Sequence, residues 1–142
     1  MKRLIVISFF ALAAFGSVFA ETDGEVNARK TALELAGAFS NDGFKIRDGH
    51  WSGMLKPHEP ALIVVNLYAG NQYWFAAGTS EAGKKVGVAI YDETGRQVAA
   101  ETYNEEEKAA AGFSPANSGQ YFIAVSLLEG EPGSVCLVCS YK

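Results

Sequence analysis

The chain predicts an all-β fold, an antiparallel β-sandwich preceded by one amphipathic α-helix. Three observations carry this. One early segment repeats apolar residues at helical spacing. From Ala61 onward apolar residues recur at every second position in runs of strand length, and Gly, Pro, Asn and Asp interrupt those runs about every dozen residues. Short strands at even spacing imply a sandwich, whereas strands alternating with helices would imply a parallel sheet.

Residues 1–20, MKRLIVISFFALAAFGSVFA, start with Lys2 and Arg3, continue as an apolar and small-residue run, and end in Val18-Phe19-Ala20. This is the pattern of a secretory signal peptide cleaved after Ala20. The run is short for a membrane anchor, which needs about 20 apolar residues, and no Cys follows it to carry a lipid. A periplasmic or secreted location is expected. No later segment reaches spanning length, so no membrane span is expected after cleavage.

The chain of 142 residues has 12 Lys and Arg against 16 Asp and Glu, a net charge of −4, and the signal removes two of the basic residues. Residues 21–142 suffice for one domain with a core and are too few for two ordinary ones. An acidic surface without a basic stripe repels phosphate backbones, so no nucleic-acid partner is expected.

The expected organisation is a helix with a turn-rich segment over 21–52, then a sandwich over 53–142. Ala28, Ala32, Leu35 and Phe39 fall on one helical stripe, with Asp23 as N-cap and Ser40-Asn41-Asp42-Gly43 as the stop. A helix this short needs a surface to dock on. The stretch FKIRDGHWSGMLKPHEP, 44–60, holds one or two short strands at most.

ALIVVNLY (61–68) and QYWFAA (72–77) are β-branched and aromatic runs joined by a turn, a hairpin signal. KVGVAIY (85–91) alternates and is followed by Asp92-Glu93-Thr94-Gly95, which fits a type I turn with Gly95 left-handed, leading into RQVAAETY (96–103). EEEKAAAGFSPANSG (105–119) reads as a polar connection with room for a helical turn. QYFIAVSLL (120–128) alternates, and Glu129–Gly133 turns the chain into the last strand, SVCLVCSY (134–141). Tyr73, Phe75, Val88, Ile90, Tyr121, Ile123, Val125 and Leu137 are the expected core.

The two cysteines, Cys136 and Cys139, are an odd number of residues apart in that strand. Their side chains then face opposite sides, with Cα atoms about 10 Å apart, beyond the about 7 Å a disulfide tolerates. No helix follows to activate a thiol. Two unpaired strand cysteines are expected. The alternatives are a disulfide permitted by a bulge, an intermolecular or redox role, or a metal site drawing on His50 and His58.

VVNLYAGNQYWF, VGVAIYDETGRQVA and FSPANSGQYFIAVS resemble, in order, three segments of bacterial pre-peptidase C-terminal domains, over roughly residues 53–142. The resemblance implies a jelly-roll-like sandwich in which Gly70, Asp92, Gly95 and Gly119 shape turns, and it implies no catalytic residue. It also places Tyr73 and Phe75 inward. Period two then turns Gln72 and Trp74 outward, and Val65 and Leu67 inward leave Asn66 and Tyr68 outward. Asn66, Tyr68, Gln72 and Trp74 are therefore the candidate ligand-binding residues, neighbours across the expected hairpin. Trp and Tyr flanked by amides stack on a sugar ring or anchor a protein. The alternatives are that the helix stripe covers this face, or that it is plain exposed surface.

No nucleophile elbow, zinc-protease helix or phosphate loop is present, and Glu105–Glu107 lacks the spaced oxygens of a calcium loop. The expectation is an exported, non-enzymatic binding module without catalytic residues, cofactor or metal. It would serve a protein or glycan partner, accessory to a secreted enzyme or a cell-surface glycan. The alternative is a small periplasmic hydrolase or thiol-redox protein using His50, His58, Cys136 or Cys139.

Overall fold

The computed structural model describes residues 22–80 and 83–142. The expected signal segment, 1–20, lies outside the described residues. Helix α1 spans Asp23–Ser40. Its N-cap is Thr22 rather than Asp23: the Thr22 hydroxyl accepts from the Glu25 N–H at 3.2 Å, and Asp23 falls in the first turn, where its charge suits the helix dipole. The buried face is Ala28, Ala32, Leu35 and Ala36, with Phe39 half-buried at the end of the stripe.

Nine strands follow among the described residues: β1 (Lys45–Ile46), β2 (Trp51–Leu55), β3 (Ala61–Leu67), β4 (Tyr73–Thr79), β5 (Lys85–Asp92), β6 (Glu101–Glu105), β7 (Lys108–Phe113), β8 (Gly119–Glu129) and β9 (Gly133–Tyr141). All ladders between them are antiparallel. One sheet runs β1-β9-β4-β7-β6, with β2 pairing further along the same β9 edge, and the other runs β3-β8-β5. The fold of the described residues is thus all-β with one helix. β1 and β2 pair with β9 and α1 packs on β4 and β9, so residues 23–52 belong structurally with the larger sheet.

The core between the sheets joins Tyr73, Phe75, Val135 and Leu137 of the larger sheet to Leu67, Ile90, Ile123 and Val125 of the smaller. Every expected core residue is buried except Val88, which is half-buried. β5 is an edge strand. Val86 is flanked by Glu106 and Ile90 by Val98, each through a backbone bond of 2.9 Å, and Val88 lies between these covers. A second apolar layer lies between α1 and the larger sheet, where Ala76, Ala110, Cys136 and Val138 meet the helix. The contact is close: a Cβ on Gly78 would stand 2.6 Å from the Ala32 backbone nitrogen.

Two further expectations are corrected. β3 and β4 form no hairpin; the turn at Gly70 carries the chain from the smaller sheet to the larger. The Ala109–Ala111 stretch is strand β7 rather than a polar connection, because it lies between β4 and β6 and is covered on both faces. The turn at Asp92 forms as expected. Its carboxylate accepts from the Thr94 N–H, the Thr94 hydroxyl and the Arg96 N–H at 2.9, 2.6 and 3.0 Å, and Gly95 sits at φ 86°.

Candidate functional site

The four candidate residues do not gather, because β3 and β4 belong to different sheets. Trp74 lies on the outer face of the larger sheet, stacked on Phe39 at 4.3 Å with ring planes 7° apart. Its six-membered ring also lies against Gly112, where a Cβ would come within 2.8 Å. Gln72 lines a shallow depression beside it, and its backbone exchanges two bonds with Lys142. Tyr68, 55% exposed, stands with Arg47, Asn71 and Tyr141 around another depression. Asn66 is exposed on the smaller sheet, and its carbonyl accepts from Arg47 Nη1 at 3.4 Å.

Asn66 belongs instead to the rim of a cleft of about 480 Å³ at the open edge of the sandwich. One wall is the free edge of β3. The other is built where the chain leaves β9: the Arg47 N–H bonds to the Cys139 carbonyl at 2.8 Å, Asp48-Gly49-His50 departs from the ladder with Gly49 at φ 88°, and Trp51 rejoins it opposite Leu137. Phe75, Leu137 and Cys139 of the larger sheet, with Ile63 and Val65 of the smaller, form an apolar floor. Ile63 and Val65 are only half-buried because they face this opening.

Arg47, Asp48, His50 and Asn66 supply the polar rim. No carboxylate among the described residues forms an ion pair with Arg47. A concave apolar floor with a few convergent polar groups, in this range of volume, is the usual form of a binding site. Arg47 and Trp51 were not legible as site residues; their only local signal is a polar and aromatic run around Gly49.

Cys136 and Cys139 form no disulfide and lie on opposite faces of β9, Cys136 in the layer beneath α1 and Cys139 toward the cleft. Burial pushes the Cys139 thiol up to about 11, and the charge and hydrogen bond of Arg47 offset this only in part. That is the reverse of an activated nucleophile, which needs its thiolate near neutral pH. His50 shares the cleft, whereas His58, at φ 63°, sits in the turn after β2 and bonds to the Leu127 carbonyl through its backbone N–H. Comparison with models of known protein families gave no match, and neither did comparison with curated proteins.

Proposed function

We propose that the protein is an exported module, periplasmic or secreted, that acts by binding rather than by catalysis, and that it binds at the cleft along β3. Its place is beside a secreted enzyme or a cell-surface glycan, with a protein or glycan as partner. The observation that supports this reading is the cleft itself, an apolar floor under a rim that includes Arg47, His50 and Asn66. Tyr68 and Tyr141 flank it across Arg47. Tyr, Trp and Arg are the residue types that dominate binding energetics. A kinship of residues 53–142 with pre-peptidase C-terminal domains, jelly-roll connectivity included, is part of the proposal. The turn at Asp92 and Gly95 supports it.

Two measurements test the reading. N-terminal sequencing of the exported protein should find Glu21 first; a mature chain retaining Met1 would refute export with cleavage. Amide-shift titration of the isotope-labelled protein with chitotriose, and separately with pooled heptapeptides, should move signals of Arg47–Trp51 and Ile63–Asn66. Silence of those segments toward both classes would remove the cleft as the binding surface.

A further inference from the structure

Backbone N–H and C=O groups alternate sides along a strand, so one bond of known direction sets the polarity of a ladder. In β5, the Ile90 carbonyl accepts from the Val98 N–H and the Asp92 N–H donates to the Arg96 carbonyl, both at 2.9 Å and both away from β8. Ala89 and Tyr91 are therefore the residues bonded to Ala124 and Phe122. This turns the backbone groups of Tyr121, Ile123 and Val125 toward Val65, Ile63 and Ala61. Leu62, Val64 and Asn66 are left with their N–H and C=O groups pointing out of the sheet, into the edge that walls the cleft. The bond from Arg47 to the Asn66 carbonyl, arriving from that side, reports the same polarity independently.

No strand among the described residues pairs with this edge. Proteins protect exposed edges with charges, proline or a covering segment. The β6 edge carries Glu101 and Glu105, and the β5 edge is covered by Arg96–Val98. β3, ALIVVNL, contains no charge and no proline, and Leu62 and Val64 are 64% and 53% exposed. Beside it stand the apolar floor of the cleft and, at the Asn66 end, the Arg47 guanidinium, which no carboxylate among the described residues pairs with.

We infer that the cleft takes an extended peptide that pairs with the Leu62 and Val64 backbone as an added strand, places an apolar side chain on the Phe75–Leu137 floor, and seats a carboxylate on Arg47. Strand addition draws affinity from main-chain bonds and specificity from pockets for alternate side chains, and Arg is the residue suited to bidentate carboxylate recognition. The carboxylate is either a C-terminus or an acidic side chain. The inference rests on the cleft being the binding surface and goes beyond it in naming the ligand chemistry.

Two random heptapeptide libraries displayed to the full-length protein, one ending in a free C-terminus and one fused at both ends, test it and separate the two carboxylate sources. Enriched sequences should alternate apolar residues. The corresponding synthetic peptides should slow hydrogen exchange at the Leu62 and Val64 amides, and should lose at least tenfold in affinity to Arg47→Gln and to Val64→Pro. Val64→Pro removes an outward N–H and leaves the β3–β8 ladder intact. If Val64→Pro lowers the melting temperature, the same peptides N-methylated at alternate amides replace it and should not bind. Enriched peptides that bind Arg47→Gln as well as wild type, or that leave the Val64 amide unprotected, would overturn the inference. Chitotriose shifting the cleft signals while neither library enriches would overturn it and leave the cleft standing as a binding site.

Discussion

Phe39 and Trp74 stack ring on ring, 4.3 Å between centroids and 7° from parallel, and this pair pins the C-terminal end of α1 to the outer face of the larger sheet. Nearly parallel aromatic pairs add about 0.5–1.5 kcal/mol to the area they bury. Trp74→Ala is expected to cost about 3 kcal/mol in a denaturant melt, with hydrogen exchange quickened along Ala28–Ala36. A change within about 0.5 kcal/mol would show that the stack does not hold the helix.

The helix backbone lies directly over Gly78, so Gly78→Ala places a methyl group 2.6 Å from the Ala32 nitrogen. Backbone cannot rotate away as a side chain can, and overpacking of this kind costs about 1–3 kcal/mol. Gly37→Ala is the control, since a Cβ there meets nothing within 4 Å. It should stabilise by about 1 kcal/mol through helix propensity. Equal effects of the two substitutions on the melting temperature would contradict the close contact.

The Ser140 hydroxyl is buried on β9 without a hydrogen-bond partner among the described residues. An unsatisfied buried polar group is costly, so Ser140→Ala is expected to raise stability by about 1 kcal/mol, read as a higher denaturant midpoint. Destabilisation would mean that the hydroxyl makes a bond.

The Cys139 thiol rises from an ordinary value of 9.0 to about 11 because it is buried. The unfolded chain therefore releases this proton first as pH rises. The contribution to stability is complete below about pH 9 and is lost on the way to about pH 11. Thiolate is the reacting form, so alkylation of the native protein at pH 8 should be at least tenfold slower than after unfolding, when two thiols react. Native Cys139 alkylating as fast as the unfolded chain would refute this.

Much of the architecture is local chemistry written along the chain. Period two in β3, β5 and β8 sorted the side chains into two alternating faces, so that Leu67 inward required Asn66 outward before any partner strand was known. The stripe from Ala28 to Phe39 likewise announced a helix in need of a surface, and the odd spacing of Cys136 and Cys139 put the two thiols on opposite faces of β9.

Tertiary structure decided what local patterns leave open. A turn at Gly70 looks the same whether the chain returns beside itself or crosses to another sheet, because pairing is chosen by distant strands, and here β4 chose β7 and β9. Ala109–Ala111 carries no strand signal of its own; two neighbouring strands and burial on both faces overrode the helical propensity of alanine. The cleft is assembled from residues 47–51 and 63–66 with Phe75, Leu137 and Cys139. Its shape exists only where the edge of the smaller sheet stops short of the departing β1–β2 segment, a property of how two sheets overlap and not of any spacing along one chain.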